Sequence, residues 1–192
     1  FTADHGEMLG DHHMSQKNLF FEGSAHVPLL IMPPQGRSLP QNISVEAPTD
    51  LVDLYPTILA MAGLSSPVSV SGRNLLEPVP MDRIFFGNSL NRNFCVMEEK
   101  VKLVYSAVGD HVLLFDLNTD PMEQHNLAED PAWQERKAKL WKLLLEHTAQ
   151  YTPEALDEKG QFLTYEAPHF PGDVPGRWFG FHYHDYSVDT FH

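Results

Sequence analysis

Apolar positions first recur at a helical period after Asp50. Leu51, Leu54, Tyr55, Ile58, Leu59 and Ala62 fall at i, i+3, i+4, i+7, i+8 and i+11, a single stripe on a helix surface. Gly63 follows as a natural stop, because glycine takes the left-handed backbone that closes a helix without a Cβ clash. Pro56 lies inside the stripe and predicts a kink, or a restart with proline in the first turn, where its missing N–H is not needed. The stripe predicts a helix packed into a core. A second helical pattern runs over residues 131–150, with Trp133, Leu140, Trp141, Leu144 and Leu145 on its apolar face. Asp130 before Pro131 reads as its N-cap, and Glu135 and Lys139 are spaced to pair on the wet side.

Between the two helices the period changes. Residues 64–82 are a connector rich in Pro, Ser and Gly. Residues 83–87, 94–98, 102–105 and 112–117 are then short runs of β-forming residues with turn residues between them, the pattern of an antiparallel sheet of about four strands. A sheet covered by one helix makes an α+β subdomain. Upstream, residues 27–32 (VPLLIM) predict a short strand before a turn at Pro33, Pro34, Gln35 and Gly36, with Pro28 near the strand start where a ladder donor can be spared. Residues 1–26 hold too much His, Gly and Asp for a regular element and predict a loop. The expected division is 1–82, 83–150 and an aromatic-rich tail, 151–192, wrapped over the scaffold.

Composition narrows the partners more than the fold. At 192 residues and 42% hydrophobic the chain has an ordinary globular balance, and no apolar run approaches the ~18 residues that cross a bilayer. A net charge of −13, with 13 Lys and Arg thinly spread, argues against nucleic acid or an anionic membrane surface as partner. Cys95 stands alone, which excludes an internal disulfide and a thiolate metal cage and leaves the compartment open.

The chemistry concentrates in the first seventeen residues, FTADHGEMLGDHHMSQK, where Asp4, His5, Glu7, Asp11, His12 and His13 crowd together. Adjacent Asp4 and His5 reach one cation only if the backbone bends, and Gly6 permits that bend. A carboxylate suits Ca²⁺ or Mg²⁺, while an imidazole shifts the preference toward Mn²⁺ or Zn²⁺. Two ligands are too few for a site. Taken alone, Asp-His-Gly is more often a hydrogen-bonded loop than a metal centre.

The order of the stretches goes further. DHGE, GDHH, Lys17 and FFEGSAHVPLLI are followed by TDLVDLYPTILAMAGL, SGRNLL, KVKLVY and LFDLNTDPMEQHNLAEDP. This series resembles the sulfatase family of the alkaline phosphatase superfamily, in order from Phe1 to about Leu145. The resemblance implies an α/β fold of the alkaline-phosphatase/sulfatase type, with residues 1–82 as the later part of its large domain. Residues 83–150 would then form the C-terminal α+β subdomain. It further implies Asp4 and His5 as metal ligands and Lys17 as the catalytic cation on a sulfate oxygen. His12 and His26 would lie on the substrate side. His12 has a loop-bracing alternative, and His26 stands where many relatives carry Arg. Glu7 and Asp11 are expected to satisfy loop amides, and Glu22 to pair with nearby backbone or with Lys17.

The implied cofactor is one divalent cation, Ca²⁺ first with Mg²⁺ or Mn²⁺ as alternatives. A formylglycine nucleophile, made from Cys or Ser in Cys/Ser-x-Pro-x-Arg, belongs to the same pattern. That motif is absent here: Val96-Met97-Glu98-Glu99 follows Cys95, and Ser65-Ser66-Pro67-Val68-Ser69 ends in Ser where Arg is required. The formylglycine is therefore expected upstream, Phe1 is not expected to be the natural N-terminus, and the isolated chain is expected to be inactive. The implied substrate is a small-molecule or glycan sulfate ester, and the implied partner is the remaining N-terminal part of the same protein. Two alternatives stay open: a phosphonate monoester hydrolase or phosphodiesterase of the same superfamily, and a non-catalytic binding or structural domain. The aromatic run from Trp178 to His184, with its His-x-His pair, reads as a self-anchoring tail before it reads as a ligand subsite.

Overall fold

The computed structural model describes residues 1–14, 16–17, 19–32 and 43–166, with the backbone only of His13. The turn expected at 33–36 and the aromatic run 178–184 lie outside the described residues.

The sheet forms as the pattern requires. Strands β1 (Phe85–Ser89), β2 (Asn93–Glu98), β3 (Val101–Ser106) and β4 (His111–Asp116) make one antiparallel sheet in chain order. The β2–β3 connection is a two-residue turn with both Glu99 (φ 52°) and Lys100 (φ 63°) left-handed, the conformation whose twist matches the flanking strands. Every residue of β3 is buried, because both faces of the sheet are covered.

One face carries Phe94, Val96, Val101, Leu103, Tyr105 and Leu114, and a long helix packs on it. That helix, which ends in Gln134–Tyr151, is preceded by a 3-10 turn at Pro131–Trp133, and the Asp130 carboxylate accepts the Ala132 N–H at 2.8 Å as the expected cap. Trp133, Leu140, Trp141, Leu144 and Leu145 all pack into this core, as the stripe predicts. Lys139 does not pair with Glu135; its ammonium reaches Glu98 Oε2 on β2 at 2.6 Å, since the sheet offers a nearer carboxylate than the helix's own outer face. Beyond the helix, Phe162 closes the core against Phe94, Tyr105 and Trp141.

The opposite face is covered by the chain's beginning. Met8, Met14, Leu19 and Phe21 bury themselves against Cys95, Val104, Leu113 and Phe115. Each such apolar side chain contributes about 1.5–3 kcal/mol when taken out of water, which is enough to hold an irregular segment on the sheet. Gly87 is required on β1 because the Phe20 ring lies where a Cβ would stand. Within this segment a short helix, α1 (Glu22–Ala25), forms where a loop was expected.

Two expectations are corrected. Residues 27–32 form no strand; their ladder contact among the described residues is a reciprocal pair between Phe1 and Leu30 (2.7 and 2.8 Å), and one residue pair is not a ladder. The helix after Asp50 exists as a 3-10 turn, Leu51–Asp53, continued by α2 (Leu54–Met61), with Pro56 tolerated in the first turn. Gly63 (φ 75°) ends it with paired bonds, Leu64 N–H to Leu59 O and Gly63 N–H to Ala60 O. Its apolar stripe, however, is not in a core: Leu51, Tyr55 and Ile58 are 41%, 46% and 56% exposed. The buried face is polar. Asp53 is fully buried, is bound by both guanidinium nitrogens of Arg83, and accepts the Arg73 and Asp50 N–H groups at 2.7 and 2.8 Å. Thr57 Oγ1 accepts the Leu75 N–H at 2.9 Å, and Gly72 leaves no room for a Cβ against the Val52 carbonyl. The polar face thus clips the connector to the helix. The long helix over Gln134–Tyr151 is α3 below.

Candidate functional site

The segment 1–26 is loop by content but fixed by its bonds. Gly6 and Glu7 donate their N–H groups to the Ser24 and Gly23 carbonyls (2.7 and 3.0 Å), and a Cβ on Gly6 would run into the Gly23 oxygen. Met8 N–H reaches Gln16 O at 3.0 Å, closing residues 8–16 into a compact excursion. The Glu7 carboxylate accepts the Gln16 N–H at 2.5 Å, so it serves a loop amide, as anticipated.

At the start of this segment His5 Nδ1 lies 2.8 Å from the Gly6 carbonyl oxygen. A carbonyl only accepts, so Nδ1 carries a proton, and in the neutral ring Nε2 is then the nitrogen with the lone pair. That Nε2 stands 3.4 Å from Asp4 Oδ2. A ring nitrogen with its other N–H bound to a backbone carbonyl, set beside a carboxylate oxygen, is the donor chemistry a divalent cation takes. The Asp4 carboxylate is 86% exposed, so an ion has access to it. Among the described residues no group of three or more His, Cys, Asp or Glu converges for a metal, and Asp4 and His5 supply two donor atoms at most.

Lys17 is exposed and its carbonyl accepts the Ser24 hydroxyl at 2.5 Å. Ser24, 2% exposed, therefore ties two separate stretches to α1: the Asp4–His5 loop through its carbonyl and the Lys17 stretch through its hydroxyl. His12, left-handed at φ 51°, stacks on the Phe21 ring with centroids 4.2 Å apart and planes at 19°. His26 is exposed, and its Nδ1 lies 2.8 Å from Glu22 Oε2.

Glu22 does not pair with Lys17. Its Oε1 accepts from Lys102 Nζ at 2.6 Å, and Lys102, 3% exposed on β3, also donates to Phe20 O at 2.7 Å and lies 2.7 Å from Glu123 Oε1. Glu123, itself 2% exposed at the side chain, accepts the Glu22 N–H on Oε2 at 2.7 Å. Burial acts to raise the Glu22 carboxyl, but the Lys102 ammonium and then His26 outweigh it and hold the pKa below its usual 4.5. Burial likewise acts to lower Lys102, and the neighbouring negative groups, Glu123 foremost, keep it above 10.5. Cys95 beneath the segment is fully buried, which pushes its thiol up to about 12 and leaves it inert. Lys102, Glu123 and Ser24 were not singled out from sequence. The available signal was a lysine inside an otherwise apolar strand, Val101 to Tyr105.

Residues 1–64 match the sulfatase family model. Arylsulfatase K of Xenopus laevis is 34% identical over 148 residues, which cover 67% of this chain and 27% of that protein. Choline-sulfatase of Rhizobium meliloti is 35% identical over 185 residues, 87% of this chain and 35% of that protein. Among solved structures, phosphonate monoester hydrolase of Agrobacterium radiobacter superposes with a TM-score of 0.62 at 31% identity, covering 83% of this chain and 37% of that one. The chain spans between a quarter and about a third of the length of these curated relatives. Its architecture is that of part of an α/β fold of the alkaline-phosphatase type together with an α+β subdomain built on the four-stranded sheet. With motifs, relatives and fold in agreement, the chain belongs to the sulfatase family of the alkaline phosphatase superfamily.

Proposed function

We propose that this chain supplies part of the active site of a sulfuric ester hydrolase. Asp4 Oδ2 and His5 Nε2 would hold one divalent cation, Ca²⁺ before Mg²⁺ or Mn²⁺, and Lys17 would set a positive point charge on a sulfate oxygen. The observation that carries this reading is the His5 ring, turned by its bond to Gly6 O so that its free Nε2 faces Asp4 at 3.4 Å. The cation would supply Lewis-acid stabilisation of the charge carried by the sulfate oxygens. The chain's own residues would orient and neutralise: Lys17 is held through its carbonyl by Ser24 and leaves its ammonium in the open, while His12, stacked on Phe21, and His26, beside Glu22, would face the substrate. The nucleophile, a formylglycine in this family, would come from a Cys/Ser-x-Pro-x-Arg motif upstream. The substrate class is a small-molecule or glycan sulfate ester, and the partner of this chain is the remainder of the same protein.

Phosphonate monoester hydrolysis is the second reading, favoured by the 31% identity and shared fold with the Agrobacterium radiobacter enzyme. Turnover of an aryl sulfate and an aryl phosphonate monoester by the full-length protein separates the two. The sulfatase reading requires faster turnover of the sulfate. It also requires a loss of about 10²–10³ in kcat for Lys17→Met, the scale seen when one preorganised charge-stabilising donor is removed. Faster phosphonate turnover moves the assignment to the second reading, and full activity of Lys17→Met removes Lys17 from the site.

A further inference from the structure

We propose that Lys102 and Glu123, far from Asp4 and His5 in the chain, are positioning residues for the metal-binding half-site. This inference rests on the reading of Asp4 and His5 as ligands and adds what holds them in place.

The grip is on backbone as much as on side chain. The Lys102 ammonium donates to Phe20 O (2.7 Å) and Glu22 Oε1 (2.6 Å) and forms an ion pair with Glu123, whose Oε1 lies 2.7 Å away. Glu123 Oε2 then takes the Glu22 N–H at 2.7 Å. The pair thus fixes the carbonyl of residue 20 and the amide of residue 22, on either side of Phe21. The Phe21 ring carries the His12 imidazole, and its carbonyl accepts the Ser24 and Ala25 N–H groups at 2.9 and 2.8 Å. One step further, Ser24 O takes the Gly6 N–H, Gly23 O takes the Glu7 N–H, and Ser24 Oγ binds Lys17 O. An unbroken run of hydrogen bonds and peptide links therefore leads from β3 to the residues flanking His5 and to Lys17.

A buried ion cluster is a poor way to gain stability, since an apolar group of the same shape does as well or better. It is a good way to fix direction, because each charge-assisted bond has one geometry. The same sheet offers an internal contrast. Arg136 and Glu98 form a partly buried ion pair at 2.8 Å, Arg136 lying on α3 and none of its contacts reaching residues 20–24. A pair there serves packing of the helix on the sheet. Lys102 and Glu123 serve the site.

The test uses the full-length protein and Ca²⁺ as the probe. Ca²⁺ affinity by calorimetry, kcat on an aryl sulfate and Tm are measured for Lys102→Met/Glu123→Gln, for Arg136→Met, and for Asp4→Ala as reference. The double variant is expected to lose about 10- to 100-fold in Ca²⁺ affinity, the effect typical of groups that orient metal ligands, and to lose kcat with it. Arg136→Met is expected to keep both at a comparable drop in Tm. Wild-type Ca²⁺ affinity in the double variant overturns the proposal, as does an equal loss in Arg136→Met. If the double variant does not fold, Glu123→Gln alone keeps the shape and the Lys102–Glu22 bond, and it must show a smaller loss in the same direction; no loss overturns the proposal. Retained Ca²⁺ binding in Asp4→Ala overturns the ligand reading itself.

Discussion

One serine joins the two stretches on which the proposed chemistry depends. Ser24 Oγ donates to Lys17 O while the Ser24 carbonyl receives Gly6 N–H, so one buried residue sets the spacing between the Asp4–His5 pair and Lys17. Ser24→Ala should cost about 1 kcal/mol, the net worth of one such bond, and lower kcat more than this small loss of stability explains; urea denaturation alongside kinetics checks both. Gly6→Ala has a different cause and a larger effect. Its Cβ would collide with the Gly23 carbonyl oxygen, which belongs to backbone and cannot rotate away, so a fall in Tm and a displaced His5 ring are expected. The first seventeen residues stood out in sequence as a crowd of acids and histidines, and the roles proposed for Asp4, His5 and Lys17 came from the order of the family-like stretches. Ser24 did not, since its meaning lies in two partners brought to it only by folding.

At the scale of elements, the helix after Asp50 turns its polar face, not its apolar stripe, to the rest of this chain. Its stripe of Leu51, Tyr55 and Ile58 is exposed among the described residues, and the connection it makes is polar, through Asp53 and Thr57. Removing Arg83 leaves the Asp53 carboxylate buried without its ion-pair partner, so Arg83→Met should destabilise by about 3–5 kcal/mol, measured by chemical denaturation. The same pair sets an acid limit. Burial acts to raise the Asp53 carboxyl, yet Arg83 and the backbone amides together hold it below the usual 3.8. A carboxyl whose folded pKa is depressed contributes stability above its unfolded pKa and loses it as pH falls through the folded value. Stability should therefore decline below about pH 4, and Asp53→Asn should flatten that decline; denaturation midpoints against pH report it. By contrast, β1 to β4 and α3 were legible because their signals are local: short runs of β-forming residues bounded by turn residues, a stripe along the helix, Asp130 as a cap. Lys102, Glu22 and Glu123 were not legible, because their contacts join residues 80 and 101 positions apart.

For the molecule as a whole, the sheet is the common support. α3 packs on one face, and Met8, Met14, Leu19 and Phe21 of the segment that carries the proposed ligands pack on the other. The chain also spans only 26–35% of the curated relatives it matches, and it carries no Cys/Ser-x-Pro-x-Arg motif. A purified 192-residue chain is accordingly expected to show no turnover of an aryl sulfate, and turnover above a mock purification would contradict that. The central claim is narrower: Asp4 and His5 are ligands of one divalent cation. Equilibrium Ca²⁺ binding by the full-length protein, compared with Asp4→Ala/His5→Ala, tests it most directly. The account predicts one bound Ca²⁺ per protein and its loss in the double variant with the fold intact by circular dichroism; an unchanged stoichiometry and affinity in the double variant would contradict it.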